Sequence, residues 1–183
     1  INPSKKIKSL LLAAILSVTQ GLKSSTTTGL DSDIAHDLAE DLNLKLDELT
    51  FEIFKAKSDI TGLSPEEITK KDYKTFQFGE HEVFINQIET VEPEKIFDIK
   101  EDLVKELEDV KSELGMSMGF IIVTDILEVN SHMIYTNDEE KRVVEKAFTT
   151  EGEEVLADIG PRMSRKKDIA PRIEEILTKG SNK

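Results

Sequence analysis

The chain has 183 residues and a formal net charge of −13, with 33% charged and 38% hydrophobic residues. This length and composition predict one folded domain over residues 1–183, and the acidic balance argues against binding to nucleic acid or to an anionic membrane. The chain has no cysteine, which excludes disulfide bonds, thiolate metal ligands and a thiol nucleophile, and fits a cytoplasmic protein.

The first segment combines three lysines with an apolar run, and two interpretations stay open. Lys5, Lys6 and Lys8 precede residues 10–16 (LLLAAIL), in the order found in secretory signal peptides. A helix over residues 4–18 that is apolar on almost every side, and therefore buried on more than one side, explains the same residues. We favour the helix, because no clear small-x-small cleavage site follows. The apolar run is too short to span a membrane.

Three further helices are predicted before the first strand. A polar residue can cap the first and the third of them, and the second has apolar residues at helical spacing. The first extends from Asp31 or Ser32 to about residue 42, and the second covers residues 46–57. The third is a short helix that begins at residues 64–67, where Ser-Pro-Glu-Glu forms a capping box. Over residues 74–88, on both sides of Gly79-Glu80, apolar residues alternate with polar ones instead of recurring at helical spacing. This pattern predicts a β-hairpin.

The second half of the chain alternates helices with strands. Apolar residues at helical spacing predict a helix from Glu94 to Leu114, which ends at Gly115. Residues 118–127 (MGFIIVTDIL) are almost continuously apolar, which is typical of a strand covered on both faces. The remaining elements are a strand at 132–135, a helix at 138–148, a strand at 155–159 and a last helix that ends near residue 177. This order predicts an α/β fold, with a mixed β-sheet of about five strands flanked by helices on both faces.

Near the end of the chain, residues 164–167 (SRKK) concentrate positive charge in an acidic protein. Arginine offers a planar fork of donors, lysine offers a mobile point charge, and a helix that starts at Ser164 adds free backbone N–H groups. These groups suit a phosphate ligand, although a solvated surface run explains the same residues. Because of Pro171, either a first turn starts at Ser164 and bends at the proline, or the helix starts close to the proline.

Three strings, taken together and in this order, carry a resemblance to a known family. They are residues 12–19 (LAAILSVT) with 23–28 (KSSTTT), residues 123–127 (VTDIL) and residues 164–167. Over almost its whole length the chain resembles the C-terminal, DHH-associated domain of the family II, manganese-dependent inorganic pyrophosphatases. The resemblance implies an N-terminal DHH domain, absent from this chain, that holds Mn²⁺ (or Mg²⁺ or Co²⁺) in the complete enzyme. We expect the present segment to hold no metal ion.

The resemblance also implies which residues bind the substrate, diphosphate or polyphosphate. Arg165 and Lys166 fall on substrate-binding positions of the family, and so does Lys74 in residues 72–76 (DYKTF). Further candidates for a supporting role are Lys23, Ser164 and Lys167. Asp125, at the end of the central strand, either orients the site or caps a loop.

The sequence does not predict a metal site in this segment. In the family, the first string carries an aspartate metal ligand where this chain has Val18, and an isopropyl group cannot coordinate a divalent cation. The histidines, interpreted as surface or packing residues, are far apart in the sequence: His36, His81 and His132. One helical face has a spacing suited to a metal, but acidic helices commonly expose such faces to solvent. It carries Asp33, His36, Asp37 and Glu40.

We therefore expect the substrate-closing domain of an enzyme that hydrolyses diphosphate to two phosphates. Alone, the segment is expected to be monomeric and inactive. An exopolyphosphatase or a prune-like phosphodiesterase with the same domain is the first alternative. A non-catalytic phosphate-binding module is the second, and Val18 supports it. A secreted protein with residues 1–21 as its signal is the third.

Overall fold

A computed structural model describes residues 3–180, which form eight α-helices, five β-strands and one π-helical turn. The helices are α1 (Lys5–Val18), α2 (Gly29–Leu42), α3 (Leu46–Lys57), α4 (Pro65–Lys70), α5 (Pro93–Phe97), α6 (Lys100–Leu114), α7 (Asp138–Phe148) and α8 (Ala170–Gly180). The strands are β1 (Tyr73–Phe78), β2 (His81–Thr90), β3 (Met118–Asp125), β4 (Asn130–Ile134) and β5 (Leu156–Gly160). The π-helical turn, Arg165–Ile169, directly precedes α8.

The five strands form one mixed sheet in the order β1-β2-β3-β4-β5. Strands β2 and β3 are parallel, and all other neighbouring pairs are antiparallel. A parallel pair needs a crossover connection, which α5 and α6 provide here. The carboxyl ends of β2 and β3 meet at one edge of the sheet, where Thr90 pairs with Asp125. The predicted hairpin and the predicted mixed sheet are confirmed.

Helices cover both faces of the sheet, as predicted. In β3, Phe120 and Ile122 point into one apolar cluster, which α7 and α8 close. Ile121 and Val123 point into a second cluster, on the face that α6 covers. The almost continuous apolar run of β3 therefore reflects burial on both sides.

Helices α1 to α3 surround an apolar cluster of their own. Leu12 and Leu16 of α1 are fully buried there, against Ala35 and Ala39 of α2. The expectation that α1 is buried on more than one side is wrong, because α2 and α3 cover only one side of it. Its exposed apolar residues are Ile7, Leu10, Leu11 and Val18. Within residues 3–180 no helix combines the length and the apolar character that crossing a bilayer requires.

Two helix boundaries differ from the predictions. Helix α2 begins at Gly29 because Thr28 caps it, in a reciprocal capping box with Asp31. The single helix predicted over residues 94–114 is two helices. At the break, the amide of Ile99 donates to Ile96 O, only three residues back, at 3.2 Å, and Ile99 leaves the α region with φ −109° and ψ 13°.

The structure combines the two predicted alternatives: a π-helical first turn begins after Ser164, as in the first, and α8 itself begins at Ala170, next to Pro171, as in the second. The Ser164 hydroxyl accepts from the Lys167 amide, and the Ala170 amide donates to Arg165 O, five residues back, which defines the π-helical turn. Pro171 has no N–H to donate. The wider turn in front of the proline therefore carries the chain into α8, where Ile173 and Leu177 reach the core.

A buried ion pair joins α6, α7 and the start of β3. Oε1 of the fully buried Glu140 accepts from Lys111 Nζ at 2.7 Å and from the Gly119 amide at 2.8 Å. Oε2 accepts from the amide and the hydroxyl of Thr136, at 2.8 Å and 3.0 Å. A Cβ at position 119 would lie 2.8 Å from the Lys111 side chain, so glycine is needed there.

We expect Glu140→Gln to lower the free energy of unfolding by about 3 kcal/mol, because Lys111 would keep a buried charge without its partner. Urea denaturation at neutral pH measures the change. The matched control is Glu175→Gln in the exposed Lys179–Glu175 pair, which we expect to change stability by less than about 1 kcal/mol. Equal effects of the two substitutions would contradict a stabilising role for the buried pair.

Candidate functional site

A cleft of about 210 Å³ lies beside the carboxyl end of β2. Ligands of open α/β sheets bind outside the carboxyl ends of parallel strands, so this is the position that the topology favours. Four segments line the cleft: the end of α1 with the loop that follows, the start of β1, the end of β2, and residues 163–166.

Lys74, Arg165 and Lys166, the three predicted substrate-binding residues, all line this cleft. Arg165 is buried, with 8% of its surface exposed. Both lysines are exposed, and neither side chain makes a hydrogen bond or an ion pair within residues 3–180. The fold thus brings one buried guanidinium and two unpaired ammonium groups to one cleft, from distant parts of the chain.

The Arg165 guanidinium is fixed from one side only. Its Nη1 donates to Asp72 O at 2.6 Å and to Ile85 O at 3.2 Å, and its Nη2 donates to Asp72 Oδ1 at 2.9 Å. A guanidinium has five N–H donors, so these bonds leave Nε–H and one N–H of Nη2. These two donors remain for a ligand, and two N–H donors of one guanidinium can bind two oxygens of one phosphate.

Two glutamine side chains hold the segment that carries Arg165. Gln20 Nε2 and Gln87 Nε2 each donate to Met163 O at 3.0 Å. Gln20 has φ 52° and is followed by Gly21 with φ 66°, a left-handed turn that aims the Gln20 amide at Met163. At Gly21 a Cβ would lie 2.5 Å from the side chain of Thr50, so this turn requires glycine.

Both carboxylates that line the cleft have cationic partners. Asp72 pairs with Arg165. Glu89 accepts from Gln20 Nε2 and pairs with Lys57. Because each carboxylate is already paired with a cation, Lys74 and Lys166 are left to attract an anion.

The structure does not bring all supporting candidates into the cleft. Ser164 lies in its lining and caps the π-helical turn. Lys23 lies outside the lining, and its Nζ donates to Ile126 O at 3.0 Å and Leu127 O at 3.1 Å. Lys167 faces a different cleft. Asp125 caps the turn between β3 and β4, where its Oδ1 accepts from the amides of residues 127 and 128.

The residues of this segment do not fit a manganese ion. Val18 lies in the lining with 76% of its surface exposed and offers no donor atom. Within residues 3–180 no group of three or more His, Cys, Asp or Glu side chains is placed to hold a metal. The helical face with Asp33, His36, Asp37 and Glu40 is therefore not such a group. On this face, Nδ1 of His36 lies 2.7 Å from Ser32 O, within hydrogen-bond distance. His132 packs edge-on against Phe97.

Sequence reasoning missed Gln20, Gln87 and Glu89. Gln87 gave a signal, since it stands between the apolar residues 83–85 and Ile88 of β2, and the structure buries it. Buried side-chain amides are almost always hydrogen-bonded, so a glutamine at this position indicates a specific hydrogen bond to another segment. Gln20 and Glu89 gave no comparable signal, because they meet across 69 positions of sequence.

The fold and the cleft define an α/β domain in which distant cations converge at the end of a parallel strand. Residues 51–176 match the DHHA2 domain, and the chain belongs to the DHHA2 domain family. This confirms the resemblance to the C-terminal domain of family II inorganic pyrophosphatases.

Named relatives give the same result. A protein of Methanocaldococcus jannaschii, named manganese-dependent inorganic pyrophosphatase, is 37% identical over 166 residues, which are 90% of this chain and 53% of that protein. A protein of Deinococcus radiodurans, named "Probable manganese-dependent inorganic pyrophosphatase", is 34% identical over 91% of this chain and 54% of that protein. The chain therefore spans about half the length of these relatives and corresponds to their C-terminal DHHA2 region.

A solved structure shares the fold. It is described as the "Crystal structure of Methanococcus jannaschii putative family II inorganic pyrophosphatase". Its TM-score is 0.81 at 35% identity, over 97% of this chain and 57% of that chain.

We expect Asp72→Ala to lower the free energy of unfolding by about 2 kcal/mol, because the buried Arg165 would lose its only carboxylate partner among the described residues. The Nε–H resonance of Arg165 in ¹⁵N NMR should broaden as the side chain becomes mobile. Asp98→Ala, at an exposed carboxylate, is the control and should change stability by less than about 0.5 kcal/mol. An unchanged Arg165 resonance in the Asp72 variant would show that the two carbonyl groups alone hold the guanidinium.

Proposed function

We propose that this cleft binds diphosphate, and that the chain is the substrate-binding C-terminal domain of an inorganic pyrophosphatase that hydrolyses diphosphate to two phosphates. The observation that carries the proposal is the convergence of Lys74, Arg165 and Lys166 on one cleft. The names of the relatives support it, since they describe inorganic pyrophosphatases.

The three cations have different tasks in this proposal. Arg165 is held by three hydrogen bonds, so its two remaining donors can orient one phosphate group with little further loss of entropy. Lys74 and Lys166 are mobile point charges, each with three donors, and they adjust to the second phosphate. At about 4 Å and an effective dielectric constant near 20, each cation gains on the order of 4 kcal/mol of Coulomb energy per unit negative charge, before desolvation is subtracted.

The acidic character of the chain does not oppose this binding. Charges separated by more than about 8 Å are largely screened at physiological ionic strength. The distant carboxylates that give the net charge of −13 therefore act weakly on a bound anion, whereas the cleft cations act at contact distance. Binding should weaken as salt is added.

In the proposed reaction the cations hold the phosphate that leaves and offset the charge that develops on it. No group of three or more ligating side chains among the described residues is placed to hold a metal, so we assign the metal sites, and with them the attack on phosphorus, to an N-terminal DHH domain as the partner. We place the protein in the cytoplasm, with no nucleic-acid or membrane partner, and expect the isolated segment to be a monomer.

We expect Lys74→Gln and Lys166→Gln each to weaken diphosphate binding by about tenfold, because each removes one charge-assisted contact. The Nε–H resonance of Arg165 reports occupancy of the cleft in an NMR titration with diphosphate. Lys146→Gln, at an exposed lysine of α7, is the matched control and should bind as the wild type does. If all three variants bind equally well, the cleft is not the diphosphate site.

In the full-length protein with manganese, the same two substitutions should lower kcat/KM for diphosphate by about tenfold or more. The chain of 183 residues alone should release no phosphate. Parallel assays with tripolyphosphate separate the alternatives, since faster turnover of the longer chain would indicate an exopolyphosphatase. A full-length protein that binds diphosphate but hydrolyses neither substrate would be a non-catalytic phosphate-binding module.

A further inference from the structure

A second basic cleft adjoins the π-helical turn. It has a volume of about 310 Å³ and is lined by Pro161, Arg162, Lys167, Asp168 and Arg172. Ser164, Arg165 and Lys166 line the first cleft, and the next two residues line the second. The same turn therefore forms part of the wall of both clefts.

The second cleft carries an excess of positive charge in an acidic chain. Residues 161–172 contain five cations and one carboxylate, and three of these cations line the second cleft. The carboxylate of Asp168 is already engaged, because both of its oxygens accept from Ser25 Oγ at 2.9 Å and Oδ2 also accepts from the Ser164 amide at 2.9 Å. In the part of the chain that the structure describes, Lys167 and Arg172 have no hydrogen-bonded or ion-paired partner for their side chains.

Arg162 is held in place at the inner side of this cleft. Its guanidinium lies over the ring of Phe148, 5.3 Å from the ring centroid, and its Nη1 donates to Ile159 O. Gly160 gives it room, because a Cβ there would lie 2.8 Å from Nη1. Its Nε is buried and has no hydrogen-bond partner among the described residues. The Arg162 side chain is thus held in place, although its Nε–H has no acceptor among the described residues.

The two guanidinium groups repel each other. Burial and the charge of Arg172 lower the pKa of Arg162, and the nearby carboxylates of Asp168 and Asp158 only partly oppose this. Like charges near each other disfavour the charged forms of both groups. An anion that enters the cleft would remove this repulsion.

We propose that Arg162, Lys167 and Arg172 form a second phosphate-binding site, separate from the diphosphate cleft. Two planar guanidinium groups and one ammonium group match the several oxygens and the double charge of a phosphate group. A single carboxylate would need only one of the two arginines, because one guanidinium can bind both of its oxygens. The ligand is therefore a small phosphate-bearing anion. It is either a separate molecule or the far end of a linear polyphosphate whose other end occupies the first cleft.

An NMR titration of the chain tests this site at constant ionic strength. Inorganic phosphate, diphosphate and tripolyphosphate are the probes, and the Nε–H resonances of Arg162 and Arg172 are the reporters. We expect both resonances to shift and to saturate. In the double variant K167Q/R172Q the Arg162 shift should need at least about tenfold more ligand, while the Arg165 resonance still titrates as in the wild type.

The matched control is Arg142→Gln, which removes the same charge from an exposed arginine of α7 and should leave both titrations unchanged. Shifts that do not saturate, or that chloride reproduces at the same ionic strength, overturn the proposal. An Arg162 titration that K167Q/R172Q leaves unchanged overturns it as well. These outcomes do not depend on the diphosphate cleft, because Arg165 reports on that cleft separately.

The double variant K74Q/K166Q distinguishes the two sources of the anion. If a separate molecule binds, the Arg162 and Arg172 titrations are unaffected by the loss of the first cleft. If one polyphosphate chain spans both clefts, tripolyphosphate binds more weakly at Arg162 in this variant, whereas inorganic phosphate binds there as in the wild type.

Discussion

The buried guanidinium of Arg165 is the interaction on which the cleft depends. Its three hydrogen bonds join the π-helical turn to the residue before β1 and to β2. Since a buried cation without partners is strongly destabilising, these contacts must form together when the chain folds. Lys166 follows Arg165 directly, and Lys74 follows Asp72 by two residues. The same contact that buries Arg165 therefore places both lysines at one cleft.

Local patterns predicted most elements of the fold, because capping, periodicity and turns are local. The capping box at Ser64 and the hairpin around Gly79 are confirmed. The break near Ile99 was not predicted, since it depends on a tight hydrogen bond inside an otherwise regular helical pattern. The exposed face of α1 was not predicted either. An apolar helix shows which residues can be buried, but its neighbours decide which of them are.

The sequence pointed to the three cations of the candidate cleft, but not to the glutamines beside them or to the geometry that brings them together. The resemblance pointed to Lys74, Arg165 and Lys166, and the fold brings them to one cleft. Lys167 was grouped with them because it is adjacent in sequence, yet it faces the second cleft. Successive residues of a helical turn point in different directions, so adjacency does not set a shared function. The Gln87 bond to Met163 O joins residues 76 positions apart, and no local pattern encodes such a contact.

The π-helical turn makes the number of residues before α8 as important as their identity. A π turn contains about one residue more than an α turn. Deleting one residue between Ser164 and Ala170 would rotate α8 by about 100° relative to the segment before it, because each helical residue turns the chain by that angle. Ile173 and Leu177 would then leave the core. The packing of the hydrophobic interior therefore constrains the number of residues in this segment as well as their identity.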